Sequence, residues 1–142
     1  MILVKELLNN LKKNKISFFT GVPDSVLKNL LSCFDELNDN KHIIAANEGS
    51  AISIGIGHYL SSKKIPCVYL QNSGLGNAIN PLISIAHKKV YSIPMLLMIG
   101  WRGSNKKQDE PQHMVKGKIT PKLLKLLDIK YCILRKSDKS NF

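Results

Sequence analysis

Two kinds of apolar spacing alternate along the first forty residues. A helical spacing near the N-terminus is followed by the apolar run 16–20, which stops at Gly21-Val22-Pro23. These patterns predict a helix, a strand and a turn. Asp24 or Ser25 is a candidate cap for a second helix over residues 26–37, whose apolar side chains share one face.

The same order of elements repeats twice. Residues 42–46 form a short apolar run that predicts a buried strand, and a helix of small residues follows from Glu48 to about Leu60. Residues 66–70 predict a third strand, which is followed by a glycine-containing turn and a helix over 78–87. The sequence therefore predicts successive strand-helix units.

The last third of the chain shows one more such unit. Residues 93–99 predict an interior strand, and a long polar loop follows over 100–118. Thr120-Pro121 is typical of a cap and first helical turn, so a helix is predicted from there through Leu127. A final strand is predicted over 130–134.

Strands alternating with helices predict the fold class α/β, a doubly wound, mostly parallel sheet with helices on both faces. The whole chain, residues 1–142, is interpreted as a single domain. The chain stops at Phe142 without a helix after the last predicted strand, so we expect further sequence downstream. In such sheets ligands bind at the carboxyl ends of the strands, so function is sought in the loops there.

Composition and charge exclude several classes of protein. Of the 142 residues, 44% are hydrophobic, and the longest apolar run, 93–100, is too short to span a membrane. No secretory signal is visible, so we expect a soluble, cytoplasmic protein with three reduced, buried cysteines. The net charge of +11 permits nucleic-acid binding, but the lysines are scattered without interleaved aromatic residues. Solvated surfaces are favoured, with attraction of an anionic substrate as the alternative.

Glu48 is the first candidate for chemistry. It follows an apolar strand and opens a helix of small residues, so largely dry surroundings are expected. Apolar burial and the helix N-terminus act on a carboxylate in opposite directions, which would let it share a proton with a bound base. A glutamate that merely stabilises the helix start is the alternative.

The turn Asn72-Ser73-Gly74-Leu75-Gly76-Asn77 is the second candidate. It does not match a dinucleotide fingerprint or a phosphate-binding loop, because Ile79 stands where glycine is needed and no lysine follows Gly76. Two glycines would instead let the backbone approach a flat ligand closely. A tight turn without a ligand is the alternative.

The loop after residue 100 supplies two further candidates. His113 could transfer protons near neutral pH, and Arg102 could bind an anionic group bidentately. An exposed histidine and an arginine stacked on Trp101 are the alternatives. No ligand set for a metal is apparent in the sequence, and none is assigned.

The five sequence motifs that follow the predicted strands are more specific for a protein family in combination, and in their order, than any one of them is alone. GVPDS, AANEGSA, QNSGLGNAINPL, SIPMLLMIGWRG and DEPQH follow one another, and together they resemble the phosphonopyruvate decarboxylase family and its relative sulfopyruvate decarboxylase. These are thiamine-diphosphate enzymes. The resemblance extends from the first helix to Leu134 and implies a pyrimidine-binding domain.

The resemblance also implies roles for individual residues. Glu48 matches the glutamate that hydrogen-bonds pyrimidine N1′ of the cofactor and promotes its imino tautomer, and it is assigned as catalytic together with His113. Substrate contacts are assigned to Asp24, Ser25, Arg102 and His113. Contacts to the cofactor are assigned to Glu48, Gln71, Asn72, Ser73, Gly74 and Asn77.

One departure from the family concerns the diphosphate. These enzymes hold the diphosphate and its magnesium on a second domain with a Gly-Asp-Gly string, which this sequence lacks. The resemblance therefore implies a half-site that is inactive until a diphosphate-binding domain or subunit joins it in a homo- or hetero-oligomer. The expected reaction converts 3-phosphonopyruvate, a small anionic 2-oxo acid, to phosphonoacetaldehyde and carbon dioxide. The alternatives are the alpha subunit of sulfopyruvate decarboxylase and a catalytically silent remnant.

Overall fold

The computed structural model describes residues 4–104 and 109–134. Its sheet has four parallel strands in the order β2-β1-β3-β4. The strands are β1 (Phe19–Gly21), β2 (His42–Ile44), β3 (Cys67–Gln71) and β4 (Leu96–Gly100). The predicted parallel α/β sheet is confirmed.

Among the described residues, five α-helices connect or flank these strands. They are α1 (Val4–Lys13), α2 (Lys28–Phe34), α3 (Glu48–Ser62), α4 (Leu75–Pro81) and α5 (Pro111–Leu126). Short 3-10 turns at Ser25–Leu27 and Asn72–Gly74 precede α2 and α4, and a π-helical turn at Leu82–Ala86 extends α4. The helix predicted over 78–87 thus begins earlier and changes its hydrogen bonding after Pro81.

The core lies on both faces of the sheet, because alternate side chains of β3 point in opposite directions. Cys67 and Tyr69 pack with the apolar side chains of α1 and α2. Val68 and Leu70 pack on the other face with α3, α4 and α5. Helices therefore cover both faces, as the sequence predicts.

The two outer strands are less buried than predicted. β2 was expected to be buried, but it lies at one edge of the sheet, where Ile43 and Ile44 are 37% and 58% exposed. β4 was expected to be interior, but it forms the other edge, and only Gly100 within it is buried. An apolar run indicates a strand but does not fix its place in the sheet, which explains both errors.

The prediction for residues 111–121 was wrong, because α5 begins at Pro111 and continues through Thr120 and Pro121. A proline inside a helix lacks the N–H that would bond to the carbonyl four residues earlier, here that of Gly117. Trp101 supplies the missing donor, since its Nε1 lies 3.0 Å from the Gly117 oxygen. The indole thus allows the helix to include the proline.

The strand predicted over residues 130–134 was also wrong. These residues carry no helix or strand and are exposed. All three cysteines are free, but only Cys67 is buried, while Cys132 is exposed because its segment does not join the sheet. We expected no helix after the last predicted strand, but residues 135–142, which this expectation concerns, lie outside the described part. No helix among the described residues is long and apolar enough to cross a membrane.

Candidate functional site at the carboxyl ends of the strands

The candidate residues gather at one edge of the sheet because all four strands run in the same direction. The chain leaves β1 toward β2 on one side, whereas it leaves β3 toward β4 on the other. The carboxyl ends of β1 and β3 therefore flank a topological switch point, where open α/β sheets form their ligand crevice. Asp24 follows β1 and Gln71 ends β3, and the amide of Gln71 donates to Asp24 Oδ1 at 2.7 Å.

Glu48 opens α3 and is half-buried, which corrects the expectation of largely dry surroundings. Asn47 caps this helix, since its Oδ1 accepts from the Ser50 N–H at 2.9 Å. The helix start is thus stabilised by Asn47, and the carboxylate of Glu48 is directed elsewhere. Its Oε2 accepts from Asn77 Nδ2 at 2.8 Å.

The second oxygen of Glu48 lies against Gly74. A Cβ placed on Gly74 would stand 2.1 Å from Oε1, so only glycine leaves room for the carboxylate. No hydrogen bond from a described residue reaches Oε1, so the hydrogen-bonding capacity of this oxygen is not used by the protein. This arrangement fits the pyrimidine of thiamine diphosphate, because a half-buried carboxylate oxygen can accept from, or give a proton to, a ring nitrogen.

Asp24 is 5% exposed, although no cap hydrogen bond from its side chain reaches the following turn. Its carboxylate contacts Gln71, and its Oδ2 lies against Gly100, where a Cβ would be 1.7 Å away. The oxygen of the Gln71 side chain accepts from Ser73 Oγ at 2.6 Å.

Ser25, the neighbouring candidate, is exposed and lines an open pocket with Asp24 and Lys28. Its contact with a substrate stays a prediction.

Asn72 is buried and joins three elements. Its Nδ2 donates to the Arg102 carbonyl and to Thr120 Oγ1, both at 3.0 Å. Its Oδ1 accepts from the Arg102 N–H at 3.1 Å. Both amide protons are therefore used within the protein, and a contact between Asn72 and a cofactor stays a prediction.

The guanidinium of Arg102 faces Asp109 rather than Trp101. It donates bidentately, with Nε 2.9 Å from Asp109 Oδ2. The Gly103 N–H also donates to this carboxylate, and Gly103 adopts a positive φ of 69° that suits glycine. The hydrogen bond from Arg102 holds the pKa of Asp109 well below its ordinary range and raises the pKa of Arg102. A substrate contact by Arg102 stays a prediction.

His113 lies in the first turn of α5 and not in a loop. Its backbone is packed against Gly103, where a Cβ would be 1.9 Å from the His113 oxygen. Its Nδ1 is buried and has no hydrogen-bond partner among the described residues. The backbone of His113 thus lies beside the loop after β4, and the catalytic role of its side chain stays a prediction.

Several residues of this region were not predicted from the sequence to take part in the site. Asp109 accepts from Arg102 within the segment after β4, Thr120 of α5 accepts from Asn72 after β3, and Gly100 leaves room for Asp24 after β1. These are contacts between distant parts of the chain, and no local pattern in the sequence indicates them. A further polar contact joins β2 to β3, where His42 Nε2 is 2.8 Å from the Tyr69 hydroxyl. Burial lowers the pKa of His42 and raises that of Tyr69 to about 12.

The comparisons with known proteins identify the family. Residues 1–124 match the family described as "Thiamine pyrophosphate enzyme, N-terminal TPP binding domain". The chain belongs to this family. Among the described residues no group of three or more His, Cys, Asp or Glu side chains could hold a metal ion.

Two kinds of relative cover most of the chain. It is 33% identical over 134 residues to the phosphonopyruvate decarboxylase of Streptomyces hygroscopicus, covering 94% of this chain and 33% of that protein. It is 40% identical over 121 residues to sulfopyruvate decarboxylase subunit alpha of Methanocaldococcus jannaschii, covering 85% of this chain and 69% of that subunit. The chain thus spans about a third of the phosphonopyruvate decarboxylase it matches.

Solved structures of the same class confirm the fold. Benzoylformate decarboxylase from Polynucleobacter necessarius superposes with a TM-score of 0.59 and 28% identity, covering 72% of this chain and 19% of that one. A 4-hydroxybenzoylformate decarboxylase from Rhodococcus jostii gives a TM-score of 0.58 at 21% identity, which concerns the fold alone.

Proposed function

We propose that this chain supplies the pyrimidine-activating half of a thiamine-diphosphate-dependent decarboxylase, with Glu48 as its catalytic carboxylate. The observation that supports this most is the hydrogen bonding of Glu48: Oε2 accepts from Asn77, while Oε1 packs against Gly74 without a hydrogen bond from a described residue. A glutamate that merely stabilised the start of α3 would not require this arrangement, because Asn47 already caps that helix.

The chemistry of the site divides between the chain and its cofactor. When bound, thiamine diphosphate supplies the electron sink that a 2-oxo acid decarboxylation requires. Glu48 would bind pyrimidine N1′ and hold or share a proton there. Asn77 would keep the carboxylate in place, and Gly74 would let the ring approach it. We propose that another domain or subunit holds the diphosphate and magnesium, and that residues 1–142 form a single pyrimidine-binding domain.

The proposed substrate is 3-phosphonopyruvate, which would yield phosphonoacetaldehyde and carbon dioxide. Support comes from the name of the relatives that match 94% of the chain. 3-Sulfopyruvate is the second candidate, favoured by the 40% identity to a protein named as a subunit. The net charge of +11 suits either anion.

A partner that covers the strand ends is part of the proposal. Val26 and Ile44 are about half exposed close to the carboxyl ends of β1 and β2, as expected of surface that packs against a second domain. The matched part of the phosphonopyruvate decarboxylases is only a third of their length, which also supports a further domain or subunit. A homo- or hetero-oligomer in the cytoplasm is proposed on this basis.

Reconstitution tests the proposal. The chain would be assayed for carbon dioxide release from both acids, alone with saturating thiamine diphosphate and magnesium, and as a replacement for the matched third of the S. hygroscopicus enzyme. We expect the isolated chain to be inactive and the chimera to be active, with Glu48→Gln inactive in the same chimera. Turnover by the isolated chain would contradict the half-site, and a folded, cofactor-loaded chimera without turnover would favour a silent remnant.

A further inference from the structure

Asp24, Gln71 and Ser73 form one hydrogen-bonded chain across the switch point, called here the Asp24–Gln71–Ser73 chain. Its direction is fixed at Asp24, because a carboxylate oxygen only accepts hydrogen bonds and Oδ1 accepts from Gln71 Nε2 at 2.7 Å. The oxygen of the Gln71 side chain must then point the other way, toward Ser73. There it accepts the only hydroxyl proton that Ser73 has, at 2.6 Å.

The opposite direction is unfavourable for a structural reason. Rotating the Gln71 amide would place its oxygen against a carboxylate that is 5% exposed, where unpaired acceptors are costly. Asp24 Oδ2 has no hydrogen-bond partner among the described residues and lies where a side chain on Gly100 would stand. Gly100 therefore creates the space that lets Asp24 face Gln71.

We propose that Asp24 is a positioning residue that acts through Gln71 on Ser73. Because the hydroxyl proton of Ser73 is given to Gln71, the Ser73 oxygen can accept a hydrogen bond from a ligand but has no proton left to donate to it. This rests on the proposed function for the position of the ligand, since Ser73 precedes Gly74, against which the Glu48 carboxylate packs. The ligand group that contacts Ser73 must then be an N–H or O–H donor, such as the exocyclic amine of a pyrimidine. A phosphonate or sulfonate oxygen is disfavoured there, because Ser73 could donate to it only by giving up its bond to Gln71, so the anionic end of the substrate is expected to bind elsewhere.

The first test needs no ligand. In the ¹³C,¹⁵N-labelled chain, NMR would follow solvent exchange of the Gln71 side-chain amide protons and, through the isotope shift of the Ser73 Cβ, of the Ser73 hydroxyl proton. We expect Asp24→Ala to speed both exchanges at least about fivefold. The substitution removes the hydrogen bond that holds the Gln71 amide, and the Gln71 oxygen is then no longer fixed toward Ser73. Asp24→Asn keeps an acceptor and should retain most of the protection even if Asp24→Ala folds poorly. The matched control Asp39→Ala removes an exposed acid and should change neither. Unchanged exchange at Ser73 in the folded Asp24→Ala chain would overturn the proposal.

The second test separates this proposal from the proposed function. The probes are 4-amino-2,5-dimethylpyrimidine, whose amine donates, and 2,5-dimethylpyrimidin-4-one, whose oxygen accepts. We expect the wild type to prefer the amine about fivefold, and Ser73→Ala, Asp24→Ala and their double variant all to lose that preference equally. Binding that depends on Glu48 but shows the same preference in Ser73→Ala would overturn this proposal alone. If the preference for the amine probe depends on Ser73 but Glu48→Gln leaves the affinity for that probe unchanged, the result would count against the proposed function alone. If neither probe binds, both proposals are overturned.

Discussion

The side-chain amide of Asn77 donates to Oε2 of Glu48 across 2.8 Å, which links the start of α3 to the middle of α4. Because Glu48 is half-buried and Asn77 is exposed, this bond orients the carboxylate more than it stabilises the fold. Both residues stand at the carboxyl ends of β2 and β3, where the proposed cofactor would bind.

Asn77→Ala should therefore lower turnover of the chimera about tenfold, since a hydrogen bond to a charged group is lost at the reacting end of the site. The melting temperature should change little. The matched control is Asn80→Ala, one turn further along α4, which loses only a contact with Ser84. Equal turnover in the two variants would show that Asn77 does not act on Glu48.

Two glycines of the same turn should differ sharply when each is changed to alanine. Gly74→Ala places a methyl group 2.1 Å from Glu48 Oε1, so the carboxylate must move, whereas Gly76 has nothing within 4 Å of its added Cβ. We expect Gly74→Ala to remove most turnover of the chimera and Gly76→Ala to keep it. Both chains should fold, because the obstructed group is a movable side chain. Similar losses in both variants would refute the packing of Glu48 on Gly74.

Trp101→Phe should destabilise the chain by about 1–3 kcal/mol, because it leaves the Gly117 carbonyl without the donor that replaces the Pro121 N–H. Urea unfolding followed by circular dichroism measures this change. Pro121→Ala provides the control, since an alanine N–H can bond to Gly117. In that background Trp101→Phe should cost clearly less, and an equal cost in both backgrounds would show that the indole acts only through its packing.

Stability should fall in mild acid because burial lowers the pKa of His42. The unfolded chain takes up this proton near pH 6.5, whereas the folded chain does so only at lower pH, so protonation favours unfolding. The contribution of neutral His42 is complete above about pH 6.5 and is lost as pH falls from there toward the folded pKa. Melting temperatures between pH 8 and pH 5 should fall less steeply in His42→Gln. Part of the slope should remain, since burial also lowers the pKa of His58. A slope unaffected by the substitution would contradict this assignment.

The sequence predicted the sheet class and the strand-end positions of the candidates because apolar runs and glycine turns are local signals. It did not predict the edge positions of β2 and β4, which depend on strand order. It also placed the start of α5 about nine residues late. The helix can include Pro121 because Trp101, far from it in sequence, donates to the Gly117 carbonyl that the proline leaves without a partner. The partners of Arg102 and Asn72 are likewise tertiary contacts that spacing along the chain does not encode.

The central claim is that Glu48 activates a cofactor held in part by another domain. Its most direct test is the rate at which the C2 proton of bound thiamine diphosphate exchanges with deuterium in the chimera, compared between wild type and Glu48→Gln. An amide is nearly isosteric but cannot share a proton with N1′, so exchange should slow at least about 100-fold while the melting temperature stays the same. Unchanged exchange together with a stability loss of about 0.3–1 kcal/mol would instead identify Glu48 as a helix-start carboxylate and contradict the account.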